Sequence, residues 1–578
     1  MRTVGTFKRI GKQWELDAEA HVMLRAKRVF AQVAKKQAGK LRLTDTTHVA
    51  RDMEWFFERY PCTGSDADAK YLAKRAREHD EAMAAVQNVF ARDHVPPTFE
   101  LAVPARVYQR SAAELTLTTS RLLLADDVGL GKTATAICVI SDQRARPAVV
   151  VTLTHLPRQW REELRKFAPG LQVMIPKKGT PTDRELSLMR GLIPPDVIVL
   201  SYSKLAGWAQ TLVETFRAKS VVFDEIQELR TGTGSNKGSA GQLLAHSCEY
   251  RMGLSATPIY GYGGEIFNIV ELLDPGALGS RTEFETEWCS HAGAGNTAKI
   301  KEPKAFGAFM REHGLMLRRT GKDVRDEVPE LALPIRIPHQ IDSDTRALDD
   351  MKSSAAELAR IILSNTASGK ERMQASGELD WRLRQATGIA KAPFVATFVR
   401  MLLEADEEER VLLYGWHHAV YSVWGEALKE FKPVFYTGDE SIPEKERSKE
   451  AFLKGDARVL IMSLRAGAGL DGLQSKCRIV VFGELDWSPG VHDQCIGRVH
   501  RPGQDDTVCA YFLHSDEGTD PTMVEVLGLK KAQIQGIRDP DASIVENVAG
   551  AGDHMKRLAE QCLQRAGEKV PEREEQVA

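Results

Sequence analysis

The segment from Ala125 to Thr133, Ala-Asp-Asp-Val-Gly-Leu-Gly-Lys-Thr, follows an apolar run and has the composition of a phosphate-binding loop. Glycines allow backbone N–H groups to converge on phosphate oxygens, a lysine supplies a positive charge, and a threonine hydroxyl can coordinate Mg²⁺. The residues predicted to hold a nucleotide here are Asp127, Gly129, Gly131, Lys132 and Thr133. Thr133 is also a predicted Mg²⁺ ligand, and Lys132 a predicted catalytic residue.

One position departs from the usual Walker pattern, because Asp126 stands where that pattern has its first glycine. An alternative interpretation is a tight turn between a strand and a helix that carries Lys-Thr by coincidence. The next residues, 134–140, predict a helix whose N-terminus would face the anion. Since a helix N-terminus carries a partial positive charge, this helix favours the phosphate-binding interpretation.

A pair of acids follows the apolar run 220–223, at Asp224 and Glu225. Downstream of a phosphate loop, such a pair has a natural division of labour: Asp224 would hold Mg²⁺, directly or through water, and Glu225 would orient or deprotonate the attacking water. Asp-Glu at a strand end also occurs by chance. Its position after the loop predicts a catalytic role for both residues.

Two arginines, Arg498 and Arg501, lie three residues apart in the segment from Gln494 to Gln504, where we expect a short helix that projects both from one face. Guanidinium groups aimed at a transferring phosphoryl group stabilise its charge and typically accelerate the reaction by about 10³–10⁵. The alternative is a surface helix with two ordinary salt bridges. We predict that Arg498 and Arg501 bind nucleotide and that both, with Gln494, act in catalysis.

The elements that must position these residues appear as two sets of short apolar runs. The first set is 121–125, 148–152, 196–200 and 220–223, and the second is 410–414, 458–462, 478–482 and 508–513. Continuous apolar strands that alternate with helices indicate parallel sheets covered on both faces, and therefore an α/β fold with two lobes. Polar, glycine-rich tracts at 231–240, 291–300 and 364–377 predict surface loops.

The first 96 residues predict a small separate unit. A hairpin is expected over 6–16 with its turn near Gly11, a helix from Thr46 or Thr47, and a longer helix over 67–93. Residues 1–50 carry 11 Lys and Arg against 4 Asp and Glu. This basic excess could contact a phosphate backbone, or it could simply be a solvated face.

The composition, with 43% hydrophobic and 27% charged residues among 578, is that of a globular protein. No apolar run is long enough to predict a transmembrane helix or a signal peptide, so we expect an intracellular protein. The eight cysteines contain no Cys-x-x-Cys pair, which argues against a disulfide framework and against a zinc site. The net charge of −2 does not identify a partner.

The motifs together resemble those of the superfamily-two helicase-like ATPases, specifically the Swi/Snf-type translocases on double-stranded DNA. Residues 126–133 resemble the first motif of that family and Asp224-Glu225 the second. Further similarity to motifs Ia, Ib, IV and V lies at 152–163, 201–202, 411–417 and 463–469. The most discriminating match is Asp486-Trp487-Ser-Pro489 ahead of the arginine segment. The resemblance spans about residues 97–530.

This resemblance implies two RecA-like parallel-sheet lobes with helical insertions and a small N-terminal α+β domain. It implies ATP and Mg²⁺ as cofactors, with Tyr108 and Gln109 at the adenine and Gly469 also at the nucleotide. The residues that it places near DNA are Thr154, His155, Tyr202, Arg319, His417, Ser463, Arg465 and Trp487. Each of these could instead be a surface or packing residue.

Some positions depart from the family pattern. Gln227 stands where histidine is usual, Ser255-Ala256 stand in place of Thr-Gly, and the glycines near 467–473 are displaced. These departures concern how efficiently ATP hydrolysis would be coupled to movement and which branch of the family the chain resembles. They do not concern hydrolysis itself. Within the family, the chain is somewhat more similar to the HARP-like annealing-helicase branch than to chromatin remodellers.

The expected domains are an accessory domain over 1–96, a first lobe over 97–330, a helical linker over 331–395, a second lobe over 396–535 and a helical tail over 536–578. The resemblance implies a DNA-dependent ATPase that translocates on duplex or forked DNA, in the cytoplasm, nucleoid or nucleus, as a monomer and away from membranes. The alternatives are a strand-separating helicase and, from another class, an ATP-gated DNA-binding scaffold without turnover.

Overall fold

The computed structural model describes the whole chain except residues 1, 35–37, 92, 257–262, 291–297, 322, 325–326, 328–333, 365, 466–469, 526, 528–552 and 569–578. The described residues fall into two compact units, one up to Glu327 and one from Pro334 onward.

The first unit begins with a four-stranded sheet of order β3-β2-β1-β4 and three helices. These elements are β1 Gly5–Ile10, β2 Gln13–Ala18, α1 Ala20–Val29, β3 Leu41–Thr44, α2 Thr47–Arg59, β4 Cys62–Thr63 and α3 Asp66–Val89. Gly11 has a φ of +60° in the turn between β1 and β2, a conformation that glycine adopts without strain. The Thr46 side chain accepts a hydrogen bond from the Val49 N–H and caps α2. The predicted hairpin and helices are confirmed.

The rest of the first unit is a seven-stranded sheet covered by helices. Its elements are α4 Val107–Thr119, β5 Arg121–Leu124, α5 Lys132–Ser141, β6 Ala148–Thr152, α6 Pro157–Phe167, β7 Val173–Met174, α7 Asp183–Arg190, β8 Val197–Ser201, α8 Tyr202–Glu214, β9 Ser220–Asp224, α9 Asn236–Ser247, β10 Tyr250–Leu254, α10 Gly263–Leu273, α11 Arg281–Trp288, α12 Pro303–Glu312 and β11 Met316–Leu317. The strand order is β11-β5-β10-β9-β6-β8-β7, and all pairs are parallel.

Both faces of this sheet are buried, which explains the continuous apolar runs in its strands. In β6, Val149 and Val151 join the core on one face, whereas Val150 joins the core on the other. The last turns of α3 belong to that second core, because Val86 and Val89 pack there with α4. The N-terminal helices and the sheet are therefore parts of one compact unit.

The second unit contains a six-stranded parallel sheet of order β12-β17-β16-β13-β15-β14. Its elements are β12 Ile335–Gln340, α13 Arg346–Asp350, α14 Lys352–Leu363, α15 Gly369–Ala405, β13 Val411–Gly415, α16 His418–Ala427, β14 Val434–Tyr436, α17 Ile442–Lys454, β15 Val459–Ser463, β16 Ile479–Phe482, α18 Pro489–Ile496, β17 Cys509–His514 and α19 Asp553–Arg565. The two sheets confirm the predicted α/β class with two lobes. The N-terminal elements mix strands and helices as predicted, and they belong to the same compact unit as the first sheet.

Helix α15 corrects one prediction. The tract 364–377 is a loop only at its start, because Ser368 and Glu371 form a capping box that begins a 37-residue helix at Gly369. Similarly, α9 begins at Asn236, inside the tract 231–240. A capping box favours a helix even where the first turns are polar, because it satisfies N–H groups that have no partner within the helix.

By length and composition alone, α15 could cross a membrane. Its apolar residues instead pack inside the second unit, where Val395, Val399 and Leu403 contact the core of the sheet. Lys391 of this helix is buried and forms an ion pair of 2.7 Å with Asp520. A buried, paired charge in the middle of its length fits a core helix of a folded domain.

Candidate functional site

The carboxyl ends of the strands of the first unit bring the predicted nucleotide residues to one edge. The register aligns Leu124 of β5 with Leu254 of β10, and Leu254 with Asp224 of β9. The phosphate loop and the acid pair therefore leave the sheet from the same row. Gly129 and Gly131 have φ values of +88° and +71° in the loop, and α5 begins at Lys132. The predicted strand, loop and helix are present in this order.

The Lys132 ammonium is held inside the loop. Its Nζ donates to the backbone oxygens of Asp126 at 2.8 Å and Asp127 at 3.2 Å. Burial lowers the pKa of Lys132, while the charges of Glu225, Asp126, Asp127 and Asp224 oppose that effect. A cation surrounded by acids is suited to an exchange in which phosphate oxygens replace the loop carbonyls.

Asp224 is oriented by two donors from neighbouring elements. The Thr152 hydroxyl lies 2.9 Å and the Trp160 indole N–H 2.8 Å from the same carboxylate oxygen, Oδ2. Burial raises the pKa of Asp224, and these two hydrogen bonds and the Lys132 charge act against it. A carboxylate fixed in this way has the oxygen chemistry that Mg²⁺ prefers.

Glu225 occupies a backbone conformation that few side chains adopt. Its φ is +55°, in the left-handed region, directly after β9. The Gln227 side chain donates from Nε2 to Glu225 Oε2 at 2.5 Å. The residue that replaces the usual histidine therefore contacts the predicted general base. Strained backbone at such a position is typical of functional sites.

Arg319, two residues after the end of β11, braces the loop, although the sequence predicts it to lie near DNA. Its N–H and Nε bond Oδ1 of Asp126 at 2.9 and 3.0 Å, and its Nη2 lies 2.5 Å from Oδ2. Its Nη1 also donates to the Tyr108 carbonyl. Asp126 is fully buried, so the aspartate at the glycine position is explained as one half of a buried ion pair.

Arg318 braces the other side of the loop, and the sequence analysis missed it. Its Nη1 donates to the Ala125 carbonyl at 2.9 Å and its Nη2 to Asp127 Oδ1 at 2.8 Å. A buried aspartate needs a cationic partner. The unusual Asp126 was therefore a signal for Arg319, whereas Arg318 pairs with the partly exposed Asp127 and had no such signal.

Tyr108 and Gln109 lie against the loop at the start of α4. The Tyr108 hydroxyl and the Gln109 Nε2 both donate to the Leu130 carbonyl, at 2.8 and 3.2 Å. A Cβ on Gly131 would lie 2.6 Å from Gln109 Nε2. The structure thus places the pair next to the loop, while their contact with adenine stays a prediction.

In the second unit, the arginine segment differs from its prediction in one respect. Helix α18 carries Gln494 but ends at Ile496, so Arg498 and Arg501 lie in the hydrogen-bonded turns that follow it. Arg501 donates from Nε to the Gly497 carbonyl at 2.9 Å and pairs with Asp471 at 3.0 Å. Burial lowers the pKa of Arg501, and the charge of Arg498 adds to this effect.

The positive charge of Arg498 thus acts on Arg501, while their predicted role as a cationic clamp stays a prediction. Gln504 is buried, and its Nε2 donates to the Cys477 carbonyl at 2.8 Å, so it supports the turn. Gly469, predicted at the nucleotide, lies outside the described residues.

Some of the residues predicted to contact DNA in the first unit are exposed, and others are buried. Thr154 and His155 are exposed in the turn between β6 and α6. Tyr202 is buried, and its hydroxyl donates to the backbone oxygen of Asp224 at 2.8 Å. For Tyr202 and for the ion-paired Arg319, the packing alternative is favoured.

The same division holds in the second unit. His417 is buried, with its Nδ1 2.6 Å from Glu484 Oε1, so packing is favoured there as well. Ser463 is half-buried at the end of β15, while the Arg465 side chain is 62% exposed and 3.3 Å from Asp486. Trp487 is half-buried, and its indole N–H donates to Asp380 at 2.8 Å.

The chain is similar in sequence to known proteins over most of its length. The chain is 28% identical over 429 residues to the DNA annealing helicase and endonuclease ZRANB3 of Mus musculus, a match that covers 72% of this chain and 39% of that protein. It is 25% identical over 411 residues to the SWI/SNF-related matrix-associated actin-dependent regulator of chromatin subfamily A-like protein 1 of Xenopus tropicalis, covering 68% and 40%. The chain spans about 40% of the length of these curated relatives.

Among solved structures, the Sulfolobus solfataricus SWI2/SNF2 ATPase core in complex with dsDNA is 20% identical, with a TM-score of 0.37. The match covers 82% of this chain and 100% of that one.

Two family models match. The helicase conserved C-terminal domain matches residues 395–503 of the second unit. The SNF2-related domain matches residues 24–361, more than half of the chain. The protein therefore belongs to the SNF2-related family of helicase-like proteins.

Proposed function

We propose that the protein is a DNA-dependent ATPase that translocates on double-stranded DNA and uses ATP hydrolysis to move along or remodel DNA and DNA-bound complexes. The observation that carries this proposal is the row of strand ends from which the phosphate loop and the Asp224-Glu225 pair emerge together. Family membership supports it, because an SNF2-related domain and a helicase C-terminal domain occur in the same chain.

In the proposed hydrolysis, each residue of the first unit has one task. The Lys132 ammonium gives up its hydrogen bonds to two backbone oxygens of the loop and donates to phosphate oxygens of ATP instead. Thr133 and Asp224 would hold Mg²⁺, which supplies charge neutralisation on the phosphates. Glu225, positioned by Gln227, orients the attacking water and accepts its proton.

Arg498 and Arg501 are proposed to stabilise the charge that develops during phosphoryl transfer. The positive charge that Arg498 exerts on Arg501 supports this role, since phosphoryl transfer needs positive charge near the transferring group. Gln494, on the preceding helix, is proposed to act with them.

The proposed DNA contacts are the exposed candidates Thr154, His155 and Arg465, together with half-buried Ser463 and Trp487. We propose that Tyr202, Arg319 and His417 act indirectly, by holding Asp224, the loop and β13 in place. Contacts of this kind go to phosphates and carry no base information, so binding would be independent of sequence.

The finer activity proposed is remodelling of forked DNA or annealing of strands, in the HARP-like branch. It is supported by relatives whose names include DNA annealing helicase. The basic N-terminal sheet is a candidate for recognising DNA structure, although Lys8, Lys40 and Arg42 already pair with Glu15. Work on DNA also implies an intracellular location.

The test is ATP hydrolysis measured with duplex, single-stranded and forked DNA and with RNA. Wild type should be stimulated by duplex or forked DNA, and Lys132→Ala and Glu225→Gln should abolish this turnover. Lys166→Ala and Glu214→Gln, exposed residues of the same unit, are matched controls that should keep it. Normal turnover in both site variants would contradict the proposal.

Experiments on the same protein preparation distinguish the proposed function from two alternative functions. A strand-separating helicase would release a labelled strand from a forked duplex, which a duplex translocase does not do by itself. A scaffold without turnover would bind DNA in an ATP-dependent way while wild type hydrolyses no ATP under any DNA condition.

A further inference from the structure

Three histidines from distant parts of the chain meet where the N-terminal helices contact the first lobe. His48 lies on α2, His79 on α3, and His313 directly after α12. The ring centroids are 5.5 Å apart for His48 and His79, 5.3 Å for His48 and His313, and 5.7 Å for His79 and His313. One ligand atom from each lies within 4.8 Å of the others, the one such three-residue group among the described residues.

We propose that these three imidazoles form a site for a divalent transition-metal ion, with Zn²⁺ chemistry, that fastens the N-terminal helices to the first lobe. Imidazole nitrogens suit Zn²⁺ and its neighbours, and three histidines with one water are an established coordination set. Tetrahedral Zn²⁺ with bonds of about 2.0 Å needs nitrogens ~3.4 Å apart. The three rings therefore need to approach one another by small side-chain rotations.

One ring is already oriented for this task. His313 Nδ1 lies 2.9 Å from the Phe309 carbonyl oxygen. A carbonyl can only accept a hydrogen bond, so Nδ1 must carry the proton and Nε2 must carry the lone pair. A metal-binding histidine typically donates its other N–H in just this way, which fixes the ring and its tautomer.

Both positively charged and acidic side chains surround the cluster, and the arginines among them are paired with carboxylates. On α2, the Oδ2 atom of Asp52 lies 3.5 Å from the Nε2 atom of His48. On α3, Asp80 directly follows His79 in the sequence. The two arginines that act electrostatically on the cluster, Arg51 and Arg121, are each paired with a carboxylate: Arg51 with Asp80 at 2.9 Å, and Arg121 with Asp274 at 2.8 Å.

The surfaces that the metal would join are already in close contact. The Thr44 N–H donates to Glu283 Oε1 at 2.7 Å, across the same junction. Next to the cluster, a Cβ on Gly314 would lie 2.8 Å from Val86 of α3. Since the two surfaces already contact each other, a bound ion would cross-link the junction with side-chain rotations alone.

This site is separate from the proposed ATPase centre, and the cysteine spacing that argues against zinc does not bear on it. The test is titration of the full chain with Zn²⁺ and, as a spectroscopic probe, Co²⁺, after treatment with a chelator. The buffer contains Mg²⁺ and no nucleotide. We expect one equivalent of Zn²⁺, a visible Co²⁺ spectrum of low coordination number, and a rise in Tm on adding Zn²⁺.

His79→Gln and His313→Gln should each weaken Zn²⁺ binding by more than about tenfold and remove the rise in Tm. His21→Gln, on the exposed start of α1, is the matched control and should behave as wild type. The Co²⁺ spectrum and stoichiometry of wild type test the site without relying on any variant. Failure of wild type to bind one equivalent, or equal binding by the cluster variants and the His21→Gln control, would overturn the proposal.

Discussion

Asp126 replaces a glycine in the phosphate loop, and the structure supplies it with a partner, Arg319. An aspartate that is fully buried depends on its cation, because an unpaired buried charge is costly. The same arginine also binds the Tyr108 carbonyl. A change in one loop residue is thus accommodated by an arginine almost two hundred residues later, just after a neighbouring strand.

Arg319→Ala should lower the free energy of unfolding of the first unit by about 3–5 kcal/mol, since it leaves Asp126 buried and unpaired. Urea denaturation followed by tryptophan fluorescence measures this loss. Arg2→Ala removes an ion pair whose arginine is 82% exposed, and it should change the same quantity by less than about 1 kcal/mol. Equal effects of the two substitutions would show that the buried pair does not stabilise the loop.

Gln227→Ala should lower the kcat of DNA-stimulated ATP hydrolysis by about 10–100-fold with little change in KM for ATP. Its amide donates to Glu225, and a hydrogen bond to a charged group contributes about 1.5–3 kcal/mol. Gln210→Ala, an exposed glutamine on α8, should leave kcat unchanged. A rise in KM with unchanged kcat would instead assign Gln227 to ATP binding.

At the scale of elements, Gly131 shows how tightly α4 and the loop fit. Its φ of +71° and the nearby Gln109 amide both exclude a larger residue. Gly131→Ala should therefore weaken ATP binding, measured with a fluorescent ATP analogue, by roughly the five- to thirtyfold that 1–2 kcal/mol of backbone strain implies. Gly170→Ala has open space and no positive φ, and it should bind ATP normally.

The sequence predicts the strands that carry these loops because each is buried on both faces and so is continuously apolar. Strands β6 and β9 match their predicted runs to within one residue. The two-residue strands β7 and β11 have too few residues for a pattern, and the polar start of α15 conceals a helix. Elements are thus predictable where burial alone determines composition.

The site was predictable in part for the same reason. Lys132 and Asp224 are local to their motifs, and the sequence correctly places Lys132 at the start of a helix and Asp224 at the end of a strand. The partners that hold them, Trp160 for the acid and Arg318 for the loop, come from other elements. Such pairings depend on how strands are ordered in the sheet, which local spacing does not contain.

At the scale of the whole molecule, charge is nearly balanced, with a net of −2. DNA binding must then rely on local cations, and its affinity should fall steeply with salt, with a slope near −0.9 for each phosphate neutralised. Arg465→Ala should reduce that slope by about one phosphate and weaken binding equally for unrelated DNA sequences.

Fluorescence anisotropy over a range of NaCl concentrations measures the slope. Lys429→Ala, an exposed lysine of the same unit, is the comparison variant and should leave it unchanged. If the Arg465→Ala slope matched that of wild type, Arg465 would be assigned to its contacts with Asp486 and Trp416 alone.

The last turns of α3 have a consequence for any attempt to exchange the N-terminal region between related proteins. Val86 and Val89 pack in the core of the first lobe, and Gly314 has no side chain where Val86 lies against it. Cutting at the prolines after α3 would leave a hole in the recipient, while a transplanted α3 would meet a bulkier residue in any host that lacks this glycine. The last turns of α3 and Gly314 must therefore be exchanged together.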